Sequence, residues 1–183
     1  MGGVAWGVRA ICALNGFLGR VFSYFSLGIV TICFVVVVMR YVFRTGSVPL
    51  QDLYVWLNGA MFMGIAGYTL MKDGHVRVDI FYRTADVRRR ALVDIFGAIV
   101  FVAPFVWVIL RWGWPYVSRS WGLREGSANY GGMPGLYILK SFLIVFAVVV
   151  ALQALAMAGR GLLVLAGRET LLPRDLRYSE QGA

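Results

Sequence analysis

The chain has 183 residues, 60% of them hydrophobic and 15% charged, with a mean hydropathy of +0.73. That balance excludes an ordinary soluble globular domain and predicts no separate catalytic domain beside the apolar segments. The net charge of +9 would point to nucleic acid in a soluble protein; here it fits basic residues that hold helix ends at a membrane. Four runs carry no ionised side chain: 21–39, 53–71, 95–110 and 141–159. Three of them are 19 residues long, and the third reaches 20 if it starts at Ala91 and includes Asp94. At about 1.5 Å of rise per residue such a helix covers roughly 28 Å, close to the hydrocarbon thickness of a bilayer. The predicted fold is an all-α integral membrane protein with four transmembrane helices, at about 19–43, 53–72, 91–112 and 137–160. They form one membrane domain over 1–165.

In chain order, residues 3–18 read as a short N-terminal interfacial helix with Trp6, Ala10, Ala13, Leu14 and Phe17 on one face and Asn15 opposite. The first span is long enough to be a retained anchor rather than a removed signal. Residues 44–52 form a turn marked by Gly46 and Pro49. In the second span Gly59, Ala60, Gly64 and Gly67 are small residues at spacings that let another helix approach closely, and Asn58 adds a polar group. Gly74 stands where a left-handed helix cap is common. An amphipathic basic connection follows, and Asp86 is placed to cap the helix that begins near Val87. Pro104 should bend the third span. The connection 111–140 is long, and Gly126, Gly131, Gly132, Pro134 and Gly135 mark its turns. Span four repeats the small-residue device with Ala147, Ala151, Ala154 and Ala158, and Gln153 supplies its polar group. Residues 166–183 read as a mobile cytoplasmic tail.

Lys and Arg, counted section by section, number twelve in the N-terminal segment, second connection and tail, against six in the other two connections. The positive-inside bias therefore predicts that both termini and the middle connection are cytoplasmic. Trp112, Trp114, Tyr116 and Tyr137 fall at predicted outer helix ends, as an interfacial aromatic belt would. Cys12 and Cys33 read as small apolar fillers rather than a disulfide.

Intramembrane ionisable residues mark function by default, and this chain offers little beyond Asp94, one turn from Arg90, and Arg111 at the end of span three. A single histidine, His75, cannot supply the pair of axial ligands of a membrane haem, and with no cysteine pair nearby it is a poor zinc site. No phosphate-binding loop or nucleophile–base spacing is present. Catalytic, cofactor and metal residues are therefore expected to be absent. A small multidrug-type exporter would need a carboxylate in span one, which has none. A membrane anchor subunit of a redox complex is the other alternative, separable by its bound cofactor.

The segment 72–82, Lys-Asp-Gly-His-Val-Arg-Val-Asp-Ile-Phe-Tyr, carries a Gly-His-hydrophobic-Arg-hydrophobic-Asp string in Gly74, His75, Val76, Arg77, Val78 and Asp79. Further on, Trp121, Glu125-Gly-Ser127 and Gly131-Gly-Met-Pro134 precede span four. With the four spans, these strings resemble the small membrane (Q) subunit of tripartite ATP-independent periplasmic (TRAP) transporters over about residues 10–165. At the start of span two, where many members have Glu followed by Arg, this chain has Gln51, Asp52 and Tyr54. The resemblance implies a bacterial inner-membrane protein that works with a large membrane subunit and a periplasmic solute-binding protein. In such an importer the large subunit holds the sodium and substrate sites, the solute is commonly an organic acid, and the small subunit braces the scaffold. It implies a role for Gly74, His75, Arg77 and Asp79 in contact with partner or lipid, no cofactor in this chain, and no nucleic acid.

Overall fold

The structure, a computed structural model, describes residues 1–72, 74 and 85–178. Among these there are helices and no strands. Six α-helices follow one another: α1 (Gly2–Ser23), α2 (Phe25–Tyr41), α3 (Val48–Met71), α4 (Val87–Gly97), α5 (Ala103–Leu123) and α6 (Leu136–Leu165). Two single turns of 3₁₀-helix, Glu169–Leu171 and Arg174–Leu176, complete the described chain. Three helical stretches are long and apolar enough to cross a membrane: Gly2–Tyr41, Val87–Leu123 and Leu136–Leu165. Helix α3, 24 residues long, is not among them, because Gln51, Asp52, Asn58, Gly59, Gly64 and Gly67 dilute its apolar content.

The N-terminal region departs from a separate interfacial helix and a span at 19–43. Helix α1 runs to Ser23 and meets α2 with only Tyr24 between them. At this joint Tyr24 N–H bonds the Val21 carbonyl at 3.2 Å and Leu27 N–H the Tyr24 carbonyl at 3.1 Å, a local tightening to three-residue spacing. Ser23 and Ser26 donate to the Gly19 and Ser23 carbonyls at 2.7 Å each, which competes with the backbone ladder and favours a bend.

Pro104 acts just ahead of itself. Residues Ala98–Val102 form a π-helical turn, and Ala103 N–H reaches back to the Ala98 carbonyl. Proline lacks an N–H and crowds the preceding turn, and one widened turn accommodates both defects without breaking the rod. Asp86 precedes α4, yet its side chain makes no capping hydrogen bond.

Helix α5 then continues to Leu123, well past the expected end near 112, so the connection to α6 is only 124–135. Trp112, Gly113, Trp114, Pro115 and Gly122 resemble an interfacial loop in composition. The helix persists because Gly113, Val117 and Ser120, all buried, lie on one face at helical spacing. A Cβ at Gly113 would stand 3.0 Å from Leu143 Cδ2 of α6, so the two helices touch there.

The chain divides into two compact units. The first comprises Met1–Phe17, Gly67–Trp107 and Val148–Ala183. Its core joins Ala5, Val8 and Cys12 of α1 to Ala156 and Leu163 of α6 and to Leu172 and Leu176 beyond it. Bulky Trp6, Leu14 and Phe17 point outward instead, with Trp6 74% exposed. The packing face of α1 is thus its small and polar side, the reverse of a soluble amphipathic helix; in lipid, close backbone approach rather than burial of bulk drives association.

The second unit comprises Leu18–Ala66 and Val108–Ala147. Phe22 is its hub, edge-on to Phe25 at 5.1 Å and to Phe142 at 5.8 Å between ring centroids. Helix α2 has no buried residue along its length.

Residues 166–178 are not a free tail. Leu172, Leu176 and Tyr178 are buried, so this stretch is a strap folded on the first unit. Residues 179–183 lie outside the described residues.

Candidate functional site

Helices α1, α3 and α6 bring a polar pair together in the first unit. Asn15 Nδ2 donates to Gln153 Oε1 at 2.9 Å, and the two side chains are 1% and 0% exposed. Among the described residues Asn15 Oδ1 and Gln153 Nε2 have no further partner. Gly67 makes room for the pair: a Cβ there would fall 2.6 Å from Asn15 Oδ1 and 2.8 Å from the Val149 carbonyl. Only glycine fits, because one obstacle is backbone. Gln153 was legible as the polar group of α6; its partner was not, since Asn15 sat on the side of α1 read as facing away.

The strap closes the same unit. Arg9 donates to the Leu171 carbonyl. Arg177 Nε donates to the Leu172 carbonyl at 2.9 Å and its Nη2 to that of Thr170 at 3.2 Å. Tyr178 N–H donates to Glu169 Oε1, and its hydroxyl to Asp94 Oδ2, both at 2.6 Å. The Arg160 guanidinium lies 4.6 Å from the centre of the Tyr178 ring, close enough for a cation–π contact. Asp94 is therefore tied to the C-terminal strap as well as lying near Arg90, and nothing about the arrangement requires chemistry.

Gly74 is described: its N–H bonds the Thr69 carbonyl at 2.9 Å and closes α3. His75, Arg77 and Asp79 lie outside the described residues. Ala60, Gly64, Gly67 and Ala154 are buried, while Gly59, Ala151 and Ala158 are half-buried. A Cβ on Gly64 would enter the Phe22 ring at 2.5 Å, and one on Gly59 would meet Leu139 Cδ1 at 3.2 Å. Asn58 is exposed. Two further glycines mark close approaches. Gly159 abuts Val8 Cγ2, and Gly161 abuts Ile95 Cγ1 and the Ala91 carbonyl, each within 3 Å of a virtual Cβ. Their spacing around Arg160 was the available signal.

In the second unit the α5–α6 loop is built on two acids. Helix α5 ends in a Schellman arrangement, with Arg124 N–H on the Trp121 carbonyl (3.2 Å) and Glu125 N–H on the Ser120 carbonyl (3.1 Å). Glu125 Oε2 then accepts from Lys140 Nζ at 2.5 Å and from the Ser120 hydroxyl at 2.6 Å. The Lys140 bond, and after it the Ser120 hydroxyl, hold the Glu125 carboxyl below its ordinary range. Asp52, 5% exposed in the first turns of α3, accepts from Asn129 Nδ2 at 2.7 Å and from Met133 N–H at 3.0 Å. Ser127 N–H bonds the Met133 carbonyl at 2.9 Å, closing the loop on itself. Gly131 has a φ of +71°, and a Cβ on Gly132 would collide with Asp52 and Ser127, so both glycines are required. Trp121 Nε1 donates to Ser141 Oγ at 2.8 Å. The string from Trp121 to Pro134 is thus the parts list of a rigid loop. Tyr130, at its tip, is fully exposed.

Two backbone outliers belong to this unit. Arg44 (φ +53°) follows α2, and Arg124 (φ +46°) follows α5. Among the described residues they are the non-glycine positions with positive φ. The left-handed conformation costs an L-residue roughly 1–2 kcal/mol, and the favourable interaction of a cation with a helix C-terminus returns about 0.3–1 kcal/mol.

A cleft of about 460 Å³ opens between α5 and α6, lined by Trp114, Val117, Trp121, Ile144 and Val145 with Ser118 and Ser141. It holds no charged group. Among the described residues no three of His, Cys, Asp and Glu gather as metal ligands would, and Cys12 and Cys33 are free thiols. The arrangement is one of helix packing, capped ends and a fixed loop.

Comparison with known proteins agrees with that character. No curated protein and no solved structure matches the chain. Residues 29–163, most of the sequence, match the family described as tripartite ATP-independent periplasmic transporters, DctQ component. The helices, their apolar runs and this match lead to one conclusion: the chain belongs to the DctQ component family of TRAP transporters.

Proposed function

We propose that this small TRAP permease subunit braces the large membrane subunit of a sodium-coupled, binding-protein-dependent importer of organic acids in the bacterial inner membrane. It crosses four times, through α1–α2, α3, α4–α5 and α6, with both ends cytoplasmic. Helix α3 is the fourth crossing: at about 1.5 Å per residue its 24 residues reach roughly 36 Å. The α2–α3 turn and the α5–α6 loop then face the periplasm. Sodium and solute bind the large subunit, and this chain carries no cofactor.

The observation that supports a bracing role most is the family match joined to the character of the interior. Buried polar side chains of the first unit pair across helices, as in Asn15 with Gln153 and Tyr178 with Asp94, a use that fixes helices against one another. Helix α2, apolar and without a buried residue, offers the face that carries Leu27, Val30, Phe34 and Val37 to lipid or to the large subunit. The test is co-expression with the large membrane subunit of the same transporter. Copurification is expected, together with loss of solute uptake when either is deleted. Full uptake by the large subunit alone would overturn the proposal, as would stoichiometric haem or flavin in the purified chain, which would favour a redox anchor.

A further inference from the structure

The contact between Asn15 and Gln153 leaves two polar atoms over, and they are opposite in kind. Asn15 Nδ2 donates to Gln153 Oε1 at 2.9 Å. Asn15 Oδ1 is then a buried acceptor and Gln153 Nε2 a buried donor, and neither has a partner among the described residues. Each is joined through one amide carbon to an atom of that hydrogen bond, so the two flank it. Turning both amides over reverses the bond and again leaves one acceptor and one donor. Turning only one would set donor against donor or acceptor against acceptor. The remainder is therefore the same whichever way the pair is turned.

Its surroundings make that remainder unfavourable. Asn15 is 1% exposed and Gln153 0%, on helical stretches long and apolar enough to cross a membrane. An amide N–H or C=O shut away from water costs free energy unless another partner replaces it. Cys12, buried one turn before Asn15 on α1, offers only a thiol, which donates and accepts weakly. On the side of α3, a Cβ on Gly67 would lie 2.6 Å from Asn15 Oδ1 and 2.8 Å from the Val149 carbonyl oxygen. The Val149 carbonyl is thus a second acceptor beside the first.

This donor and these acceptors select the occupant. A cation suits Asn15 Oδ1 and the Val149 carbonyl but is repelled by the Gln153 N–H. An anion meets the opposite conflict. A molecule that both donates and accepts, and is small enough for a fully enclosed position, satisfies all three groups.

We propose that Asn15 and Gln153 hold one internal water, which accepts from Gln153 Nε2 and donates to Asn15 Oδ1, with the Val149 carbonyl within reach of its second hydrogen. Buried waters typically make about three such bonds. The water turns a single hydrogen bond into a closed polar ring that ties α1 to α6 beside Gly67 of α3. The site lies wholly within the first unit, so it depends neither on the bracing role nor on the number of crossings.

The experiment uses the full-length chain in phosphatidylcholine nanodiscs, with its Asn and Gln side-chain amides labelled with nitrogen-15. The Gln153 amide protons should give rotating-frame cross-peaks to water, opposite in sign to those of proton exchange. Asn15→Leu should abolish them, and Asn58→Leu, at the exposed asparagine of α3, should leave them intact. Should Asn15→Leu fail to fold, density for the wild-type chain decides. One peak is expected at about 2.7–3.2 Å from both side-chain amides. No cross-peak in the wild type would overturn the proposal, as would its survival in Asn15→Leu. Two amides closed directly on each other, with no peak between them, would overturn it as well. A peak that appears only in sodium-containing buffer would assign a cation and do the same.

Discussion

At the scale of single residues, glycine positions divide by what they face. Gly64 faces the Phe22 ring of its own chain, so substitution there acts on the fold before it acts on any partner. Gly64→Ala should destabilise by about 1–3 kcal/mol, the usual cost of overpacking, read as a lower melting temperature of the purified chain in detergent. Gly67→Ala should cost at least as much, because the Val149 carbonyl cannot rotate away as a ring can. Small residues in the sequence flagged close approach; which neighbour approaches, and whether it can yield, are properties of the packed helices.

The Asn15–Gln153 pair gives a second prediction. Asn15→Leu or Gln153→Leu alone leaves a buried amide without its partner and should cost about 1–3 kcal/mol. The double variant should cost less than the sum of the two, with a positive coupling in the double-mutant cycle. Strict additivity would mean that the hydrogen bond contributes nothing. Helices in lipid often show couplings below about 1 kcal/mol, so the cycle needs that precision.

At the scale of elements, the strap and the α5–α6 loop differ most from expectation. The polar composition of 166–183 suggests a mobile tail, yet Leu171, Leu172, Leu176 and Tyr178 recur within it and find the ends of α1, α4 and α6. Four apolar side chains among charges have no legible period, so only their neighbours reveal them. Tyr178→Phe removes a charge-assisted bond to Asp94 and should weaken strap closure by about 1.5–3 kcal/mol, seen as faster hydrogen exchange in 168–178 with the rest of α6 unchanged.

The loop carries a pH prediction. The folded Glu125 carboxyl titrates below its unfolded value, so its contribution is complete above the ordinary glutamate range near about 4.3 and is lost as pH falls through the depressed folded value. Stability of the loop should therefore fall on acidification below about pH 5, and Glu125→Gln should remove that component of the pH dependence. Thermal melts of both proteins between neutral and acid pH check it; parallel curves would remove Glu125 as the cause. The glycine and acid residues of this loop were visible as a family-like string, while their joint attachment to Asp52, some eighty positions earlier, was not.

At the scale of the whole molecule, the sequence by itself determined the class: long uncharged runs and the cost of unpaired backbone in lipid leave helices as the answer. It determined the family as well, because the strings around Gly74 and from Trp121 to Pro134 resemble TRAP small subunits and residues 29–163 match that family. Only the tertiary structure decided which face of α1 packs, how far α5 extends, and where the last described residues go. Hydropathy records a preference between water and oil; inside a protein that presents apolar surface outward, that preference no longer separates packed faces from exposed ones, and steric fit between small residues decides instead.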